Sequence, residues 1–332
     1  MNVSLSIDRA GGKPRFDAAV WFAHYGTIFS LVALLIVFSI ARSDVFPTVG
    51  NLLNIMSQIS ILGTMAFGLT VCLVMGLFDL SIAALATLGG YVATSLLVNY
   101  PDAISVPVAI VISLAIATAI GVVNGIIVSY LGISAFIATL ATGSIITGAM
   151  LGVSDSRTII SGIPDEFMTI GQGTIFGAPN PVLIMLAVGI LLWLLLEHTQ
   201  LGRHIYAIGG SAEASRLSGI MVKRYAPIAL GICAACAGLG GLIAASVLGA
   251  GRPQGVGDTY LLNAFAAVFI GASTLRPGKF HITGTFIGVL LIGVIDNGLS
   301  VMGVPTYWQY IVQGVLLVGA LFSAGLLTMR RR

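Results

Sequence analysis

ISVPVAIVISLAIATAIGVVNGIIVSY, residues 104–130, contains no Asp, Glu, Lys, Arg or His. Buried strands run for about 4–8 residues, whereas an α-helix needs ~20 apolar residues to cross the hydrocarbon of a bilayer, so this stretch reads as a membrane-spanning helix. Working outward, comparable apolar runs occur near 20–41, 52–75, 79–98, 134–152, 181–197, 225–249, 260–275, 282–301 and 308–328. The run at 79–98 opens on an aspartate, and 260–275 is short. Composition agrees: 57% of the 332 residues are hydrophobic and 8% charged, where soluble domains carry about 25% charged residues, and mean hydropathy is +1.05. So few charges cannot coat a water-soluble body with that much apolar surface. The predicted fold class is an all-α polytopic membrane protein of about ten transmembrane helices, with lipid as its solvent. A net charge of +3 offers nucleic acid no basic footprint. Residues 1–16 lack the short apolar core and small-residue cleavage site of a signal peptide.

The basic residues set the orientation. Ten spans place both termini on one side, and with that side cytoplasmic, 12 of the 15 Lys and Arg are inside: Arg9, Lys13, Arg15, Arg203, Arg216, Lys223, Arg224, Arg276, Lys279 and Arg330–Arg332. Outside remain Arg42, Arg157 and Arg252. This is the positive-inside asymmetry of inner-membrane proteins. The expected organisation is a cytoplasmic tail 1–19, a transmembrane domain 20–328 and a basic cytoplasmic tail 329–332. Within the domain lie an outer loop 153–180, with Asp155, Arg157, Asp165 and Glu166, and an inner loop 198–224.

The inner loop is too polar for hydrocarbon. It runs Gly202-Arg-His-Ile-Tyr-Ala-Ile-Gly-Gly-Ser-Ala-Glu-Ala-Ser-Arg-Leu-Ser-Gly219. Ser211 suits an N-cap, because its hydroxyl can accept an orphan amide hydrogen bond. Glu213 suits the positive end of the helix and Gly219 its left-handed stop. About two turns of helix over 211–219 are expected, with Gly209-Gly210 letting the chain turn into them. One reading is an amphipathic helix lying at the lipid headgroups; the other is a docking element.

These residues resemble the coupling segment of the ribose-type permeases of bacterial ABC importers, G-R-x-x-Y-A-I-G-G-N-x-x-A-A-R-x-S-G-I. Asp79-Leu-Ser81 resembles that family's D-L-S, Gly121-Val-Val-Asn-Gly125 its G-x-x-N-G and Phe136-Ile-Ala-Thr-Leu140 its F-I-x-T-L. Asn297-Gly-Leu-Ser-Val-Met-Gly-Val-Pro-Thr-Tyr-Trp-Gln309 is similar to N-G-L-x-x-x-G-x-x-x-x-W-Q. The likeness covers about residues 25–328. Departures are Ser211 for the loop Asn, Ser215 for an Ala, and Tyr260-Leu-Leu-Asn-Ala-Phe-Ala-Ala-Val268 where the family has Y-E-L-D-A-I-A-A-V. Pro277-Gly-Lys-Phe280 stands for G-G-R-G.

The resemblance implies a channel-forming permease subunit in a bacterial inner membrane, importing a monosaccharide or sugar-like solute. It implies a second permease copy or paralogue, a cytoplasmic ATP-binding cassette ATPase that uses ATP and Mg, and a periplasmic sugar-binding protein. Coupling to the ATPase would fall to Gly202, Arg203, Gly209, Gly210, Ser211, Glu213, Ala214, Arg216, Leu217 and Gly219. Candidates for the path or gate are Asp79, Ser81, Asn124, Phe136, Thr139, Asn263, Asn297 and Gln309. The chain itself has no G-x-x-x-x-G-K-[ST] phosphate loop, Gly278-Lys279 being the nearest approach, so ATP hydrolysis belongs to another subunit and this chain needs no cofactor.

An ionisable group in hydrocarbon costs about 2.5–3.5 kcal/mol and usually faces a cavity or a partner. Asp79 is read either as the N-cap of a span starting at Leu80 or as lining a path. Asp296 is read as a wet helix end or a gate. Asn124, Asn263, Asn297, Gln309 and Gln313 either hold helices together or meet solute hydroxyls. Gly121/Gly125, Gly148/Gly152 and Gly284/Gly288 are G-x-x-x-G pairs that permit close helix crossing. Cys72, Cys233 and Cys236 read as small packing residues, and the four histidines lack zinc spacing, so no metal is expected. A secondary transporter would need coupling acids at the midplane and repeat symmetry, and a membrane enzyme would need a convergent nucleophile, base or metal cluster. Neither pattern stands out.

Overall fold

The computed structural model describes the backbone of residues 18–329, with side chains from Tyr25 to Val315 and at Val318 and Gly319. Residues 1–17 and 330–332, which make up nearly all of the two expected tails, lie outside the described residues. A helix lies over each of the ten apolar segments. The first five are α1 (Ala18–Ala41), α2 (Val49–Val74), α3 (Ile82–Asn99), α4 (Val106–Leu131) and α5 (Ala135–Ser154). After the outer loop come α7 (Asn180–His198), α10 (Tyr225–Leu248), α11 (Asp258–Ala272), α12 (Ile282–Val301) and α13 (Thr306–Met329). Among the described residues, seven helices are long and apolar enough to cross a membrane: α2, α3, α4, α5, α7, α10 and α12.

The run at 260–275 forms a helix with slightly different bounds. Helix α11 begins at Asp258, stops at Ala272 and has 15 residues. At 1.5 Å per residue it is about 22 Å long, short of the ~30 Å hydrocarbon thickness. Before it, residues 249–257 form an irregular segment packed on α3. Ile159 and Gly251 form an antiparallel bridge there, and the Gly257 amide donates to Thr87 Oγ1 at 3.2 Å. The Met75–Ser81 connection between α2 and α3 is also irregular and partly buried, with Met75, Asp79 and Ser81 inside and Phe78 stacked on Phe265 at 6.1 Å between ring centroids. Non-helical backbone is tolerated at membrane depth where protein buries it or where it lines a water-filled cavity, and both segments pack part of their residues into the bundle.

Helix α10 is the centre of the packing and touches α2, α3 and α4, while α12 sits between α2 and α11. Their contacts use small residues. Gly241 lies against the Ala86 carbonyl and Gly89 against Gly238, so α3 and α10 touch backbone to backbone. Gly121 and Gly125 meet α10, and Gly284 and Gly288 meet α11, as the G-x-x-x-G reading expects. Gly148 and Gly152 are different: no described atom lies within 4 Å of where a side chain would start, so this pair makes no close crossing among the described residues. The outer faces of α4, α5 and α7 expose Val111, Ile145 and Leu191, the pattern of surfaces solvated by lipid.

Both loops are more structured than expected. The outer loop holds a helix, α6 (Asp165–Gln172), and a hairpin of β1 (Thr174–Ile175) with β2 (Ala178–Pro179). Phe167 of α6 is fully buried, and Ser246 at the end of α10 accepts from the Gly171 amide at 2.6 Å while donating to the Phe167 carbonyl. The inner loop holds two helices, α8 (Gln200–Gly210) and α9 (Ala212–Leu217). Gly209-Gly210 therefore close α8 and are not a flexible lead into α9. Gly209 presses on the Val74 carbonyl at the end of α2, where a side chain would clash.

The bundle has two distinct ends. At one, Asn51 of α2 donates to Asn297 of α12 at 2.9 Å. At the other, Tyr206 of α8 donates to the Phe280 carbonyl at 3.1 Å, and Arg276 pairs with Glu197 at 2.6 Å.

Candidate functional site

Four of the eight path candidates meet in one buried cluster. Asp79 is fully buried, and its Oδ1 accepts from the Ser81 amide at 2.9 Å and from the Ser81 hydroxyl. Asn124 of α4 donates to Ser81 Oγ at 3.3 Å and accepts from Thr142 of α5 at 2.6 Å. Thr139 of α5 accepts from the Leu80 amide at 3.0 Å. Asp79 is thus not the cap of its helix. The helix starts at Ile82, and the carboxylate folds over the amide two residues on, as Asp does in turns. The cluster ties the α2–α3 connection to α4 and α5 as a hydrogen-bonded knot.

Asp79 Oδ2 has no hydrogen-bond partner among the described residues. Cys72, Asp79 and Cys233 offer ligand atoms within 4.8 Å of one another, the residues here with spacing that could hold a metal. The Cys72 thiol donates to the Ala229 carbonyl at 3.3 Å, so it serves as a buried donor. Cys236 packs on Gly68.

The remaining candidates lie elsewhere. Phe136 is exposed on α5 and Gln309 is half-buried on α13. Asn297 is buried and bonded to Asn51, acting as glue between α2 and α12. Asn263 of α11 borders a chamber of about 330 Å³ between α2, α11 and α12, whose polar lining is Asn54, Ser57, Gln58, Tyr260, Asn263 and Asp296. Asn263 Oδ1 is buried without a partner among the described residues. Asp296 Oδ1 accepts from Gln313 of α13 at 3.0 Å. The sequence reading singled out neither Asn54, Ser57 and Gln58 nor Tyr260 for the path. A polar stripe at i, i+3 and i+4 on the otherwise apolar α2 is the signal that marks the first three.

The opposite end carries the predicted coupling residues. Thr199 caps α8, accepting from the Gly202 amide at 3.2 Å, and Gly202 packs against the last carbonyls of α7, with Arg203 exposed beside it. Ser211 caps α9 as expected, accepting from the Ala214 amide at 3.2 Å. At the other end, the Gly219 amide donates to the Arg216 carbonyl and the Ile220 amide to the Ser215 carbonyl, with Gly219 at φ 85°. This is a Schellman stop. Glu213 and Arg216 form an exposed ion pair at 2.6 Å; Leu217 is 76% exposed, and of the helix only Ser215 is buried. Burial, and then the charge of Glu197, raise the neighbouring Tyr206 phenol above its usual range.

Comparison with known proteins matches this sequence to one class. A family model described as a branched-chain amino acid transport system / permease component covers residues 51–321, and the chain belongs to that family of membrane permease components. The ribose import permease protein of Escherichia coli K12 is 36% identical over 317 residues, covering 95% of this chain and 97% of its own. The D-allose transport system permease protein of the same bacterium is 34% identical over 313 residues, 94% of each chain. Its L-arabinose transport system permease protein is 32% identical over 319 residues, 96% of this chain and 95% of its own. No solved structure matches.

Proposed function

We propose that this chain is the permease subunit of an ATP-driven importer for a neutral monosaccharide. It would sit in a bacterial inner membrane with ten spans, the short α11 crossing together with the irregular segment 249–257 that leads into it, and with both termini cytoplasmic. The 12-to-3 basic split supports that orientation, which puts α8 and α9 in the cytoplasm and the chamber toward the periplasm. A cytoplasmic ATPase would bind ATP and Mg and dock on α9, a periplasmic binding protein would deliver the solute, and a second permease copy or paralogue would complete the path. Relatives named for ribose, allose and arabinose support the sugar class.

The observation that carries the reading is α9. It is a two-turn helix, capped at both ends, that presents Glu213, Arg216 and Leu217 outward on a chain with no phosphate loop of its own. A rigid exposed element is what force transfer from an ATPase requires. Coupling is an energetic link between two sites, so breaking it leaves each site partly functional. Ala214→Arg and Arg216→Glu should therefore abolish uptake while leaving permease levels in the membrane normal. ATPase activity of the purified complex should lose its response to loaded binding protein. Parent-like uptake by both variants would remove α9 as the coupling element.

A further inference from the structure

We propose that the chamber between α2, α11 and α12 is a binding site for a neutral, hydroxyl-rich solute, and that Asp296 keeps anions out of it. This rests on the permease reading and adds to it the place and the chemistry of solute contact. Three observations support it.

The first is room. The chamber holds about 330 Å³, at the small end of ligand pockets and suited to a single sugar ring. The second is an unanswered polar atom. Asn263 is 7% exposed, borders the chamber, and its Oδ1 has no partner among the described residues. A buried acceptor left unpaired is costly, and a hydroxyl bound in the chamber would relieve it.

The third is the chemistry of the wall. The amides of Asn54, Gln58 and Asn263 and the hydroxyls of Ser57 and Tyr260 both donate and accept, as sugar hydroxyls do. Asp296 only accepts when ionised, and Gln313 holds one of its oxygens in place. Gln58 also donates to Asn54 at 3.2 Å, so the two amides face the chamber as a pair. Among the described residues, no Lys, Arg or His lines it. A solute carrying phosphate or carboxylate would meet a carboxylate with no cation to offset it. This disfavours sugar phosphates, and also the amino acids in the description of the family.

The test uses the whole importer, permease with its ATPase and binding protein, in proteoliposomes. Uptake of radiolabelled D-ribose, D-allose and L-arabinose is measured for the parent and for Asn54→Ala and Asp296→Asn, with membrane levels quantified for each. Losing the Asn54 amide should lower uptake several-fold, as the loss of one neutral hydrogen bond does, and losing the Asp296 charge should weaken its bonds to sugar hydroxyls and lower uptake up to about tenfold. In parallel, Asn54→Cys is labelled from outside with two thiol reagents of similar size, one cationic and one anionic; the native cysteines are buried. Adding Asp296→Asn should lower the cation-over-anion rate ratio at least about threefold, as removal of a nearby charge would. If the parent imports none of the three sugars, the sugar reading fails, and the labelling ratio alone decides the chamber. Parent-like uptake by both variants, or an unchanged labelling ratio, would overturn the chamber proposal even where the parent transports well. If Asp296→Asn inserts poorly, Ser57→Ala takes its place in the uptake arm and the ratio is read against Gln313→Ala.

Discussion

The knot around Asp79 and the chamber around Asp296 lie in one helix bundle and use the same kinds of side chain: an aspartate, asparagines and hydroxyls. In the knot the side-chain oxygens of Ser81, Asn124, Thr139 and Thr142 are each bonded to a neighbour, and one buried carboxylate oxygen, Asp79 Oδ2, has no partner among the described residues. Around Asp296 the same residue types face about 330 Å³ of open space, and one amide oxygen has no partner among the described residues. Polarity inside a membrane protein therefore has two uses, fastening and binding, and residue type does not separate them. Open space does.

The contrast can be broken most severely at the packing beneath the knot. Gly241→Val would drive methyl groups into the backbone of α3 at Ala86, and overpacking of this kind costs typically about 1–3 kcal/mol and sometimes more. Most of the folded protein should be lost, as read by monodisperse yield in detergent. Full yield would mean that the close α3–α10 contact is not what holds the knot together.

A smaller effect should separate the two regions directly. Asn124→Ala strands the Thr142 hydroxyl and removes a bond to Ser81, which should cost about 1–3 kcal/mol. Each kcal/mol lowers Tm by about 2–4 °C for 150–250 residues, and by about 2 °C or less for a chain of this length. Thermal unfolding should shift while uptake per folded molecule stays near the parent value. A normal Tm with failed uptake would move Asn124 into the path.

The smallest change is expected for Asp79→Asn, because the amide oxygen can still accept from the Ser81 amide and hydroxyl. Tm and uptake should both stay close to the parent. Lost uptake at normal folded yield would show that the charge at 79 serves transport, and the knot would no longer be mere fastening.

Hydropathy made the ten helical segments legible, because lipid demands long apolar runs and a satisfied backbone. It could not show that 75–81 and 249–257 stay irregular inside the bundle. That depends on partners far away in sequence, such as Thr139 for the Leu80 amide and Thr87 for Gly257. Helix α9 was legible from its caps because Ser211 and Gly219 act locally. Helix α8 was hidden by Gly209-Gly210, which read as a turn; in the structure Gly209 fits against α2 where a side chain would not. The Asp79-Leu-Ser motif drew attention to the knot, while the α2 stripe of Asn54, Ser57 and Gln58 belongs to no motif and shows its use only when α11 and α12 close around it.

Helix α2 runs without interruption for 26 residues, about 39 Å. Asn54, Ser57 and Gln58 stand near its beginning and form one side of the chamber, and Val74, its last residue, is the seat of Gly209 in α8. A continuous helix resists both stretching and compression, so these two places keep a fixed separation. Helix α2 is in this sense a pushrod: the chamber wall it carries and the seat of α8 can shift or tilt only as parts of one solid piece.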